Sequence, residues 1–210
     1  MIKLLVDNME IQAEEGSFLL QACLENDIYI PNLCFLAQMT SPPAACRMCF
    51  VEIDGVTGPV TSCTVKVKDG MVVKTGTDAV RRLQRTAFQF LMSVHDVDCG
   101  NCQANKKCEL QRIAKFLKVG LKPGHLERHL KEIEAEEHPL LAYYPNRCVL
   151  CGKCIFVCQE KHGQSLMTFA KRGFETILSF YGQKDASAFL CDKCGACVEI
   201  CPVGALTLKK

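Results

Sequence analysis

The chain has no tryptophan, and only 11 phenylalanines and 4 tyrosines among 210 residues. Large aromatic side chains dominate core energetics, so the conventional core is modest for this length. Apolar runs are also short: none reaches the roughly 18 residues of a membrane-spanning helix. Neither sign of charge is in real excess, with 25 basic and 23 acidic side chains. That leaves no electrostatic case for binding nucleic acid or an anionic membrane. No Gly-x-Gly-x-x-Gly follows a strand pattern and no phosphate-binding glycine loop is present, so the chain is expected to bind no dinucleotide itself. No Ser-His-Asp or paired-carboxylate arrangement stands out, and no catalytic residue is assigned. The opening "MIKLLVDNMEIQ" turns polar after a very short apolar run, which does not read as a secretory signal.

What the chain has instead is cysteine, 16 in all, mostly in Cys-x2-Cys pairs. Without a secretory signal, such pairs point to metal ligation rather than to a disulfide scaffold. Metal sites would then supply much of the folding energy that the thin core does not.

Residues 1–77 read as a small α/β unit. "KLLVDN" and "EIQAEEG" form a strand pair with Asp7-Asn8 as the turn, and Ser17 is placed to cap a helix over "FLLQACLEND". A Pro- and Cys-rich loop follows, then strand-like "FVEIDG" and a β-rich end with Asp69-Gly70 as a turn. Residues 78–94 read as an amphipathic helix opened by Asp78. "CELQRIAKFLKVG" reads as a second helix ending at Gly120. Residues 121–147 are polar, and "KEIEAEEH" reads as a solvated connector. The expected segments are 1–77, 78–140 and 141–210.

The last segment holds two copies of one pattern, "CVLCGKCIFVC" and "CDKCGACVEICP". Cys-x2-Cys-x2-Cys-x3-Cys is the bacterial ferredoxin run for [4Fe–4S] clusters, whose fourth cysteine ligates the other cluster. This predicts Cys148, Cys151, Cys154 and Cys201 on one cluster, and Cys158, Cys191, Cys194 and Cys197 on a second. The proline after the second run is Pro202. The first run has Gln159 there, which weakens the local turn but touches no ligand. Zinc is the alternative user of Cys-x2-Cys pairs, though it has no need of eight cysteines in this crossed spacing.

Cys34, Cys46, Cys49 and Cys63 make a third set, one close pair with two flanking thiols. That suits a [2Fe–2S] cluster, although the spacing is not the plant type, and zinc is again the alternative. Small residues in "SPPAACRMC" let backbone N–H groups approach cluster sulfurs. Of the four remaining cysteines, Cys23 falls on the apolar face of the first helix, where an unliganded thiol is ordinary. Cys99, Cys102 and Cys108 are left one ligand short, and His95 completes the set. His125, His129, His138 and His162 are expected to be solvated.

"HDVDCGNCQANKKCELQ" resembles the His-x3-Cys-x2-Cys-x5-Cys site of an iron–sulfur region shared by three systems. These are the large peripheral-arm subunit of respiratory complex I, the N-terminal part of multi-cluster [FeFe]-hydrogenases, and the small diaphorase subunit of NAD(P)-linked [NiFe]-hydrogenases. "PNLCFLAQMTSPPAACRMCFVEIDG", "PNRCVLCGKCIFVC" and "CDKCGACVEICPVGAL" resemble the rest of that region, in the same order. The resemblance implies an α+β chain: a β-grasp [2Fe–2S] domain, a small, mostly helical [4Fe–4S] domain with one histidine and three cysteine ligands, and a ferredoxin-like domain with two [4Fe–4S] clusters. It implies a cytoplasmic electron wire between a flavin subunit handling NAD(P)H and a hydrogenase subunit, with the stand-alone small subunit as the nearest member. The same role in a formate dehydrogenase or an electron-bifurcating complex is the alternative. A zinc-stabilised scaffold without redox function is the alternative of another class.

Overall fold

The computed structural model describes residues 1–124, 126–132, 138–181 and 191–209. The chain forms two compact units: residues 1–88 with 117–119, and residues 89–116 with 120–210. His125 and most of the "KEIEAEEH" connector lie outside the described residues.

The first unit is built on a hairpin of strands β1 (Ile2–Val6) and β2 (Met9–Ala13). Asp7 and Asn8 both take positive φ, 47° and 69°, the two-residue turn whose twist matches the strands. Leu4, Val6, Ile11 and Ala13 alternate inward along the pair, with exposed residues between them. Helix α1 (Leu19–Glu25) follows, with Leu19, Leu20, Ala22 and Cys23 on its buried face. Ser17 does not cap it. Its hydroxyl donates to the Glu14 carbonyl at 2.7 Å, and Phe18 holds the cap position with no side-chain bond.

Strands β3 (Phe50–Ile53), β4 (Val60–Thr61) and β5 (Met71–Lys74) complete one sheet in the order β2-β1-β5-β3-β4. Only β1 and β5 run parallel. The helical crossover and this mixed sheet give the β-grasp arrangement. Gly70, at φ +72°, makes the turn into β5 and donates its N–H to the Lys3 carbonyl at 2.8 Å. Burying Leu4, Val6, Leu19, Leu20, Val51 and Val73 contributes about 2 kcal/mol each and ties the helix to the sheet.

Helix α2 (Asp78–Ser93) begins one residue later than its cap. That cap is Thr77, whose Oγ1 accepts the Val80 N–H at 3.2 Å; Asp78 is the first helical residue, where its charge suits the helix dipole. Gln84 is fully buried and donates its side-chain amide to the Phe50 carbonyl at 3.1 Å, while Arg81 donates to its Oε1 at 2.9 Å. Helix α3 (Glu109–Leu117) stops before Gly120, because Lys118 already turns to φ 55°.

Among the described residues, the second unit holds two antiparallel pairs. β6 (Leu141–Tyr143) pairs with β9 (Leu206–Leu208), and β7 (Met167–Ala170) pairs with β8 (Ile177–Phe180). Helices α4 (Lys153–His162) and α5 (Ala196–Glu199) pack into the same core as Leu141, Tyr143, Leu166, Leu178 and Leu206. The sequence duplication is also a backbone duplication. Leu150 and Lys193 take φ 51° and 60°, and Gly152 and Gly195, which precede α4 and α5, take φ 75° and 76°. Two left-handed positions per run fold each cysteine run back on itself. Leu150 and Lys193 are held there at about 1–3 kcal/mol each.

Candidate metal centres

In the first unit, the loop between α1 and β3 carries Cys34, Cys46 and Cys49, and a short 3-10 turn after β4 carries Cys63. All four are buried, and the Sγ atoms of Cys34 and Cys46 lie 3.5 Å apart. The loop is fixed from below: Ser62 donates both its N–H and its hydroxyl to the Cys49 carbonyl, at 2.9 and 2.8 Å. Cys34 shares its proton with Cys46, which draws Cys46 down to about 6 and pushes Cys34 up. Cys63 stands in the same relation to Cys49, raised where Cys49 is lowered. Backbone N–H groups of Met48 and Leu33 also favour the Cys46 thiolate. In each bonded pair one thiol ionises only by holding the other's proton in place, so the four cannot all ionise unaided, and bound cationic iron would remove that opposition. This set fits an iron–sulfur cluster. Cys23 stands apart in α1, fully buried, its thiol pushed up to about 12 by that burial.

In the second unit, Cys99 opens a 3-10 turn, Cys102 ends it, and Cys108 directly precedes α3. The three thiols lie within electrostatic range of one another. Burial raises the Cys108 thiol, while the N–H groups of Gln111 and Leu110 at the helix start act the other way. Gln111 locks the preceding loop by accepting the Lys106 N–H at 2.9 Å and donating to Asn105 at 3.0 Å. His95 is 9% exposed, and among the described residues its Nδ1 has no hydrogen-bond partner. Burial pulls the ring down to about 4, so the imidazole is neutral at physiological pH. A neutral, buried imidazole with an unused nitrogen suits a metal ligand, as the reading of one histidine with three cysteines needs. His95 is also joined to the Arg147 backbone.

The eight cysteines of the two runs sort into two cavities. One is lined by Cys148, Cys151, Cys154 and, from the other run, Cys201. The second is lined by Cys191, Cys194, Cys197 and, from the first run, Cys158. Helices α4 and α5 explain the crossing. Each begins beside the third cysteine of its run and carries the chain so that the fourth cysteine faces its neighbour's cavity. Burial pushes Cys151 and Cys197 up to about 12, and the neighbouring thiols add to it. Backbone donors converge against that trend. Leu166 N–H reaches Cys158 at 3.5 Å and Ala205 N–H reaches Cys201 at 3.3 Å, while the N–H groups of Leu150 and Lys153 favour ionised Cys148 and Cys151.

Several contributors escaped the sequence reading. Tyr143 is buried; its hydroxyl bonds to Cys148 and accepts the Leu178 N–H at 3.0 Å. His138 is not solvated. It is 2% exposed, its Nδ1 accepts the N–H groups of Leu140 and Leu141, both at 3.0 Å, and burial pulls it down to about 4. Nor is His162 free in solvent, because its Nε2 lies 3.5 Å from Cys194 Sγ. His162 follows Cys158 by one helical turn, a spacing visible in the sequence. Nothing in the sequence marks His138 or Tyr143. His129 stacks on Phe174, with ring centroids 5.2 Å apart.

Three protein families match successive parts of the chain. They are a 2Fe-2S iron-sulfur cluster binding domain over residues 1–78, the NADH-ubiquinone oxidoreductase-G iron-sulfur binding region over 84–121, and the ferredoxin-like domain of NADH-quinone oxidoreductase subunit 3 over 138–207. The chain is 34% identical over its whole length to the NADPH-Fe(3+) oxidoreductase subunit alpha of Geobacter sulfurreducens, covering 24% of that protein. It is 31% identical to the NADP-reducing hydrogenase subunit HndD of Solidesulfovibrio fructosivorans, over 98% of this chain and 36% of that one. It is 31% identical to the NADH-ubiquinone oxidoreductase 75 kDa subunit of Reclinomonas americana, over 100% of this chain and 30% of that one. The chain thus spans about a quarter to a third of the curated relatives it matches. A crystal structure of NAD+-reducing [NiFe]-hydrogenase in the H2-reduced state superposes with a TM-score of 0.83 at 28% identity, over 99% of this chain and 87% of that one. Among the described residues, no helix is long and apolar enough to cross a membrane.

Proposed function

Because this chain belongs, through its iron–sulfur domains, to the family of the NADH-ubiquinone oxidoreductase 75 kDa subunit, we propose that it is a cytoplasmic electron-transfer subunit linking a flavin/NAD(P)H subunit to a [NiFe]-hydrogenase catalytic subunit. On this reading, segments 1–77, 78–140 and 141–210 hold one [2Fe–2S] and three [4Fe–4S] clusters. Cys34, Cys46, Cys49 and Cys63 hold the first. His95, Cys99, Cys102 and Cys108 hold the second. Cys148, Cys151, Cys154 and Cys201 hold the third, and Cys158, Cys191, Cys194 and Cys197 the fourth.

The observation that carries the proposal is the crossed lining of the two cavities, each with three thiols from one run and one from the other. A mononuclear metal needs no such exchange. When bound, iron–sulfur clusters supply one-electron transfer; the chain's own residues hold and tune them. The thiols fix position, the N–H groups of Leu150, Lys153, Leu166 and Ala205 offset negative charge on sulfur, and Tyr143 adds one hydroxyl donor. Apolar walls from Leu141, Val149, Leu166 and Leu206 limit water at the sulfurs. The hydrogenase destination is supported by the likeness to the NAD+-reducing enzyme over nearly the whole chain. A reducing cytoplasm suits the thiolate ligands.

Anaerobic purification with analysis of metals and partners tests the proposal. Expected are about 14 iron and about 14 acid-labile sulfide per chain, with a flavin subunit and a nickel-containing subunit co-purifying. Stoichiometric zinc without sulfide overturns the electron-transfer role. Iron and sulfide with a molybdenum partner overturns the hydrogenase assignment alone.

A further inference from the structure

One of the four histidines that the ligand count leaves over lies against a thiol of the fourth site. His162 Nε2 is 3.5 Å from Cys194 Sγ. His162 is the last residue of α4, and Cys158 of the same site stands one turn before it, so one helix face presents both to the cavity. Gly163 takes φ 69° immediately afterwards and ends the helix, which fixes the backbone from which the ring projects. The side chain is 20% exposed, so the ring is held against the protein rather than free in solvent. Asp192 Oδ1 lies 3.7 Å from the same nitrogen but is already engaged, accepting the Cys194 N–H at 3.0 Å. The sulfur is therefore the nearer acceptor for an Nε2 proton.

We propose that His162 is a positioning residue that donates its Nε2–H to the Cys194 thiolate and so sets the potential of the cluster held by Cys158, Cys191, Cys194 and Cys197. The inference rests on the four-cluster reading above. Reduction places an added electron on the iron–sulfur unit and makes its sulfurs more negative. A fixed N–H donor therefore bonds the reduced form more strongly than the oxidised form and raises the potential. Asp192 limits this through its negative charge, and it holds the Cys194 backbone amide.

The test uses the whole complex, purified anaerobically, with the signal of this cluster assigned by its change in Cys194→Ser. In His162→Ala, iron and sulfide per chain stay at the unsubstituted value. In an EPR-monitored redox titration, the reduced-to-oxidised ratio of this one cluster at fixed potential falls about tenfold. For a one-electron couple that is a midpoint about 59 mV lower. His162→Gln, which keeps an N–H donor, recovers part of the shift. An unchanged midpoint in His162→Ala overturns the proposal, as does His162→Gln behaving like His162→Ala. Loss of about four iron in His162→Ala also overturns it, since His162 would then be a ligand or a structural support. Absence of iron and sulfide from the unsubstituted complex is a separate result, and it overturns the electron-transfer reading itself.

Discussion

Gly204 is the most crowded of the described glycines, and replacing it with alanine gives a measurable test of how the His95–Cys108 segment docks on the second ferredoxin run. A Cβ at Gly204 would lie 2.8 Å from Ala104 Cβ, 3.2 Å from Ala104 N and 3.3 Å from Cys102 Sγ. Carbon atoms prefer about 3.5–4.0 Å, so the segment carrying Cys102 must retreat by about 1 Å or the turn must open. The strain has two parts. Gly204 sits at φ 66°, where any L-residue costs about 1–2 kcal/mol. Overpacking at a close contact adds about 1–3 kcal/mol. Gly163 separates the two: it sits at φ 69° with nothing within 4 Å of an added Cβ. Gly163→Ala should therefore cost about 1 kcal/mol in urea unfolding, and Gly204→Ala about 3 kcal/mol. The clash also falls on Cys102, so Gly204→Ala should disturb first the EPR signal of the cluster proposed for His95, Cys99, Cys102 and Cys108. Equal losses in the two variants, with all signals unchanged, would refute the docking geometry.

Other perturbations read separate parts of the structure. His95→Cys should lower the potential of its own cluster and leave the other three unmoved in a redox titration, because a thiolate adds negative charge that imidazole lacks. Tyr143→Phe should lower the potential of the Cys148–Cys201 cluster and cost about 1–3 kcal/mol, since the buried Leu178 N–H loses its acceptor. Thr77→Ala should cost about 1 kcal/mol by removing the α2 cap, while Asp78→Ala costs less; the reverse order in unfolding titrations would put the cap at Asp78. His138 is held neutral by burial, with its folded value near 4 against an ordinary 6.5. The unfolded chain therefore binds the extra proton between those values. Stability should fall as pH drops below 6.5, with His138 contributing a slope of up to about 1.4 kcal/mol per unit, and His138→Asn should remove that share.

The cysteine spacing made most of the candidate sites legible, because thiol ligands sit at fixed intervals along short loops. The same reasoning read the Asp7-Asn8 turn, where residue type and backbone conformation are closely coupled. It failed where neighbouring groups compete for the same bond, as at the helix caps, and where the answer depended on distant chain. Ser17 looks like a cap in sequence, but its hydroxyl is taken by Glu14, and Thr77 rather than Asp78 reaches the α2 amides. His138 sits among charged residues in sequence yet is buried against Phe180, with ring centroids 4.8 Å apart. Its polar neighbours along the chain say nothing about the strands that cover it. Tyr143 was invisible for the same reason, since its partners Cys148 and Leu178 come together only through β6 and β8.

The crossed lining of the two cavities bears on how the chain is made. A ribosome releases Cys148 through Cys158 well before Cys191 through Cys201. Neither cavity has its fourth wall until both runs exist, because the first lacks Cys201 and the second lacks everything except Cys158. On the proposed cluster assignment, completing either site must therefore follow synthesis of the second run, and a nascent chain caught earlier offers only an incomplete three-thiol loop. Damage follows the same logic in reverse: oxidation of Cys158 strikes the partner cavity, not the one its own run begins.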